Sequence, residues 1–160
     1  MVDAYVVRLE QQIAQWFRNI VSADIEAEPS VRDDGRLWTP GSVDFFRLLN
    51  EQVSVVLECT TGYLLHRVTC CILQQLDAYL AEQREFVARP ELSLEQRAAA
   101  VNNNLHCYEQ SMEMADSLES DIDDEYKDGV DVEAVARGFL DVAKSAAAAC
   151  ANAVLCDAGV

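Results

Sequence analysis

The densest cluster of groups able to hold a ligand is acidic: Asp121, Asp123, Asp124, Glu125 and Asp128, followed by Gly129. Carboxylates packed this closely invite comparison with a calcium loop. There, oxygen ligands recur at alternate positions, a glycine makes the sharp turn at the sixth, and a bidentate glutamate closes the shell at the twelfth. The register fails. With Gly129 in sixth place, Asp124 and Asp128 fall at the first and fifth, but Tyr126 takes the third and Val135 the twelfth. Losing those two ligands removes most of the coordination shell, so a solvated acidic loop is the better reading.

His66 with Cys70 and Cys71, and the pair His106-Cys107, are the other groupings with chemical potential. His66 and Cys70 share a helix face at i, i+4 spacing, but a structural zinc site needs four ligands and no second pair stands at ligand spacing. Cys70 and Cys71 point about 100° apart on a helix and cannot chelate together. His106 and Cys107 diverge for the same reason, and no Asn or Asp is placed to orient the histidine as in a catalytic triad. With 2 histidines in the chain, acid–base chemistry near neutral pH would rest on carboxylates that look solvated. No pair of glycines matches a phosphate-binding loop. The expectation is a non-enzymatic protein with no catalytic, cofactor-binding or metal-binding residues.

The elements that carry these residues belong to an acidic chain, with 28 acidic against 12 basic residues in 160, a net charge of −16. Such a surface is repelled by phosphate backbones and anionic headgroups, which argues against nucleic acid and against direct membrane insertion. A basic protein partner is the more natural counterpart. No run reaches the ~20 apolar residues of a membrane span. The nearest, from Phe139 to Cys156, is interrupted by Asp141, Lys144 and Asn152. The opening Met-Val-Asp-Ala lacks the basic flank and apolar core of a signal peptide. Cys59, Cys70, Cys71, Cys107, Cys150 and Cys156 lie within helical patterns as free thiols do, so a cytosolic, reducing compartment is expected.

Helical periodicity runs through most of the chain. Leu9, Ile13, Trp16, Phe17 and Ile20 mark one face of a helix over about 2–24. The turn residues Glu28-Pro29-Ser30 and Arg32-Asp33-Asp34-Gly35 make 26–40 a loop, closed by Thr39-Pro40 as N-cap and first helical residue. Trp16 is expected in the core and Trp38 as a staple of this loop onto the next helix. From 42 to 87 a stripe of Phe46, Leu49, Val53, Val56, Thr60, Leu64, Val68, Cys71, Leu76, Tyr79, Gln83 and Phe86 predicts a helix of about 46 residues and ~70 Å. Thr60-Thr61-Gly62 is its soft point, where it can kink or split. Ser93 and Gln96 form a capping box for a helix over 93–118, with Leu94, Ala98, Val101, Leu105, Tyr108, Met112 and Ala115 facing inward. The acidic loop spans 119–130. A last helix over 131–156 turns Val132, Val135, Phe139, Val142 and Ala146 inward, and small residues at 146–149 admit a close neighbour. No strand-like alternation occurs. The sum is an all-α, elongated antiparallel bundle of about four helices, one very long, over 1–160. The abrupt end after Cys156, at Val160, reads as an excerpt from a longer rod.

Trp16, Glu26, the Asp33-Asp34-Gly35 turn, Thr39-Pro40 leading into Leu48-Leu49-Asn50-Glu51-Gln52, and Val101-Asn102-Asn103-Asn104-Leu105-His106-Cys107 together resemble the central part of the exocyst complex component 3 family. The similarity covers roughly 16–118, with looser likeness through Phe139 to Asp157. The resemblance implies a cytoplasmic subunit of a vesicle-tethering complex, peripheral at sites of exocytosis on the plasma membrane. It further implies a rod of stacked helical bundles, coiled-coil-like packing, and partners among other exocyst subunits and SNARE proteins. It brings no catalytic residues. The competing reading is a free-standing acidic helical-bundle adaptor for a basic protein partner.

Overall fold

A computed structural model describes residues 1–60 and 62–159. Five α-helices account for most of the chain: α1 (Val2–Glu26), α2 (Gly41–Leu57), α3 (Tyr63–Val87), α4 (Leu94–Asp121) and α5 (Val132–Asp157). A short 3-10 helix, Asp124–Gly129, joins the last two. The predicted all-α bundle is what forms, with helix ends displaced by up to three residues from the expected bounds.

The long seam over 42–87 is two helices rather than one. Thr61 lies outside the described residues, but α2 ends at Leu57 and α3 begins after Gly62, whose amide donates to the Thr60 hydroxyl at 3.1 Å. The chain then folds back on itself. Phe45 and Tyr79 lie with ring centroids 4.5 Å apart, where a continuous helix would separate them by about 51 Å at 1.5 Å per residue. Reversal lets one apolar stripe satisfy itself: Phe46, Leu49, Val53 and Val56 from α2 are buried with Val68, Cys71, Leu76 and Tyr79 from α3.

Helix α3 is the centre of the bundle. The Tyr79 ring meets Phe17 of α1 at 6.0 Å, Phe45 of α2 at 4.5 Å and Phe139 of α5 at 6.1 Å. Helix α5 comes close to α3 because Gly138 presents no side chain to Leu80, whose methyls occupy the space a Cβ would need. All five residues predicted to face inward on α5, Val132, Val135, Phe139, Val142 and Ala146, are buried. By length and composition α5 could cross a membrane, with a mean hydropathy of 1.4 over its most apolar window. In the bundle its N-terminal half spends that apolar side on α3 and α4, while Val154 and Leu155 near its end stay half exposed.

Helix α4 departs from its sequence pattern. The expected stripe from Leu94 to Ala115 is only half-buried, and Leu94 is exposed. The buried face is instead Ala99, Ala100, Asn103, Asn104, Cys107, Ser111, Met114 and Leu118. Small and amide side chains face the core there, which hydropathy periodicity does not register. The start of α4 follows expectation: the Ser93 Oγ accepts from the Gln96 amide at 3.1 Å, and the Gln96 Oε1 accepts from the Ser93 amide at 2.9 Å.

The 27–40 connection is not wholly irregular. Ser30–Val31 and Leu37–Trp38 pair antiparallel, a two-stranded ladder that the absence of alternation did not predict. Its reversal uses the Asp33-Asp34-Gly35 turn: Gly35 takes φ 79°, open to a residue without Cβ, and the Asp34 carboxylate accepts from the Arg36 amide.

Candidate functional site

The acidic segment that looked most like a ligand site is a turn carrying its own counter-ion. Lys127 Nζ lies 2.7 Å from Asp124 Oδ1, and this contact lowers the Asp124 carboxyl below its ordinary range. Tyr126, from the middle of the segment, stacks on His66 at 5.2 Å and pins the turn to α3. His66 Nε2 and Cys70 Sγ are 3.8 Å apart, as their i, i+4 spacing requires. Among the described residues no three His, Cys, Asp or Glu side chains converge as a metal site would.

The second grouping serves packing. Cys107 is fully buried and its thiol is held well above the usual range by burial. Burial lowers the pKa of His106 below its ordinary value, helped by Arg32 and opposed by Glu109 and Glu113. That ring sits edge-on to Trp38 at 5.8 Å and to Phe46 at 6.3 Å. Trp38 is 9% exposed with the Arg32 guanidinium 4.7 Å above it, so it staples the loop to the bundle as expected. Trp16 is partly buried against the core rather than inside it. Cys71, on the buried face of α3, is pushed up to about 11 by burial, with Glu10 and Cys70 adding to the shift.

A polar site that sequence reading did not assemble lies where the end of α1, the 27–40 connection, the end of α3 and the start of α4 meet. Three consecutive asparagines build one wall. Asn102 Nδ2 donates to the Leu37 carbonyl at 2.8 Å. Asn103 Nδ2 donates to Thr39 Oγ1 at 2.7 Å while its Oδ1 accepts from the Thr39 amide at 3.3 Å. Asn104 Nδ2 donates to Gln83 Oε1 at 3.0 Å, tying α4 to α3. Thr39 therefore does not cap α2 with its side chain. Asp24, at the end of α1, does so across the loop: its Oδ1 accepts from the Gly41 amide at 2.8 Å. A carboxylate is well suited to the positive end of a helix.

The position costs Asp24 part of its hydration. Burial raises its pKa above 3.8, only partly opposed by hydrogen bonds from Thr39 and Gly41, and Asp44 adds repulsion. The native state thus binds this proton more tightly than the unfolded chain does. The penalty on the charged form is full above the folded pKa and is relieved as pH falls through it toward 3.8. Asp24→Asn keeps an acceptor for the Gly41 amide and removes the charge. It is expected to match or exceed the parent in stability at pH 7, with the gain vanishing toward about pH 4. Paired urea titrations at the two pH values test this; a gain that grows on acidification would contradict it.

The cleft beside Asp24 is lined by Val21, Ile25 and Phe86 on its apolar side, and by Tyr79, Glu82 and Gln83 of α3. The arrangement sets hydrogen-bonding groups beside an apolar wall, and among the described residues it brings together no nucleophile, base and oxyanion donor. The fold that carries it resembles a solved one, the crystal structure of the C-terminal domain of the exocyst subunit Sec6p. The two align with a TM-score of 0.79 at 15% identity, over 98% of this chain and 48% of that one. The chain therefore spans about half the length of the domain it matches. A family model described as exocyst complex component Sec6 matches residues 1–158. With that match extending over nearly every residue, from α1 to the end of α5, the chain belongs to the exocyst component Sec6 family.

Proposed function

We propose that the chain is a helical segment of the exocyst's third component, a non-enzymatic subunit that helps hold secretory vesicles at the plasma membrane before fusion. The family match over residues 1–158 carries this reading. In it the bundle is one piece of a longer helical rod, cytoplasmic and peripheral at sites of exocytosis, and it works by packing helices against other exocyst subunits and SNARE proteins. The half-exposed apolar residues Leu94, Val154 and Leu155 support that mode, since they lie at one end of the α4–α5 pair where a further bundle would stack. A closed adaptor would have little use for them.

The expected result is that the intact protein, tagged at its own locus, co-purifies with other exocyst subunits at stoichiometric levels, and that Val154→Asp with Leu155→Asp reduces the yield several-fold without loss of helicity. Purification of the intact protein free of every tethering subunit would refute the proposal.

A further inference from the structure

The cleft beside Asp24 has the chemistry of a binding pocket as well as of a helix junction. Most of its polar groups are already committed. Gln83 Oε1 accepts from Asn104, Asn103 Oδ1 accepts from Thr39, and Gln96 Oε1 accepts from Ser93. Two groups keep capacity for a ligand. The Asp24 carboxylate accepts from the Gly41 amide but has no cation within ion-pair distance among the described residues. Tyr79 is 1% exposed, lines the cleft, and its hydroxyl has no hydrogen-bond partner among the described residues. A buried hydroxyl left unsatisfied is rare and costly, and calls for a ligand group or a small rearrangement that supplies one.

We propose that this cleft receives the ammonium group of a lysine side chain supplied by a partner protein. The ammonium donates to Asp24 and to the Tyr79 hydroxyl oxygen, while the butyl stem lies along Val21, Ile25 and Phe86. Size favours a compact head: a water-sized sphere can place its centre within only about 30 Å³ of this partly open cleft, which suits an ammonium better than the wide planar fork of a guanidinium. Charge selects it too. Asp24 and Glu82 outweigh Arg89, whose guanidinium lies 5.5 Å from the Phe86 ring centre rather than paired with either. The net charge of −16 steers basic partners toward the surface and anionic ones away. An aliphatic stem with a charged tip is how lysine uses mixed surfaces of this kind. That the ammonium arrives on a partner protein rests on the tethering reading; the preference of the cleft for a primary ammonium does not.

The test uses n-butylammonium as the probe, titrated into the isotopically labelled chain and followed by amide chemical shifts. Saturable shifts confined to residues around Asp24, Tyr79 and Gln83 are expected, with a dissociation constant on the order of millimolar. Butanol, butyrate and n-butylguanidinium should bind at least about tenfold more weakly. Asp24→Asn should abolish the shifts. Tyr79→Phe removes a hydroxyl that bonds to none of the described residues, so it leaves the bundle intact and weakens binding several-fold. Absence of saturable shifts, equal response to butanol, or unchanged affinity in both variants overturns the proposal. If the pocket fails while exocyst subunits still co-purify, only the lysine site falls. If the pocket holds while they do not, only the tethering reading falls.

Discussion

Phe45→Ala is expected to destabilise the bundle by about 3–5 kcal/mol, the range for deleting a buried aromatic ring. Phe45 is fully buried, and its ring contacts three others: Phe17 at 5.7 Å, Phe46 at 5.7 Å and Tyr79 at 4.5 Å. Those rings come from α1, α2 and α3, so the loss falls on the junction that turns three amphipathic helices into one core. Against a total stability of about 5–15 kcal/mol for a domain, this is a large fraction. Urea titration followed by far-UV circular dichroism measures it. A midpoint within the error of the parent would show that α2 does not depend on this cluster. Phe46→Ala, on the side facing Phe139 and His106, should cost a comparable amount because Phe46 is 1% exposed.

Gly41→Ala is the second large effect, and a less obvious one, because alanine is usually the better helix residue. A Cβ at this position would sit 2.5 Å from Asp24 Oδ2 and 2.7 Å from Oδ1. The carboxylate must move, and with it goes the hydrogen bond that caps α2. Loss of the cap costs about 1 kcal/mol and overpacking about 1–3 kcal/mol, so a net loss of about 2–3 kcal/mol is expected. A double-mutant cycle isolates the cause. If the clash with Asp24 is responsible, Gly41→Ala should cost markedly less in an Asp24→Ala background. Equal cost in both backgrounds would place the strain elsewhere.

The fold was legible where hydropathy and local chemistry act over one turn of helix. The capping box at Ser93 and Gln96 is a four-residue device, and it closes as its residue types demand. Helix α5 has one clean apolar face, and that face is the one buried. Thr60-Thr61-Gly62 reads as a soft point in the sequence, but the period on either side is compatible with a continuous helix. Only the closure of Phe45 on Tyr79 distinguishes a hairpin from a rod. Helix α4 was misread for a different reason. Most of its buried face is alanine, asparagine, serine and cysteine, and the value of an amide at the core lies entirely in its partner. Asn103 and Asn104 read as polar until Thr39 and Gln83 are brought to them.

The cleft beside Asp24 repeats that lesson at the level of function. Asp24 and Gly41 are 17 residues apart, and Asn103 lies 64 residues from Thr39. No spacing rule connects them.

Composition and periodicity alone determined that this chain is helical, strongly acidic, and without a recognisable catalytic or metal motif. Those properties follow from residue type and from contacts within a turn or two. The short motifs from Trp16 to Asn104 also carried the resemblance to an exocyst family, at the level of the complex. Tertiary structure alone decided that the long seam doubles back, that α4 buries its amides, and that Asp24 caps a helix other than its own. Burial and hydrogen bonding between distant residues are properties of the packed chain. The acidic cluster that drew attention first proved a turn held by Lys127 and Tyr126, while a single aspartate with no visible motif stands at the site.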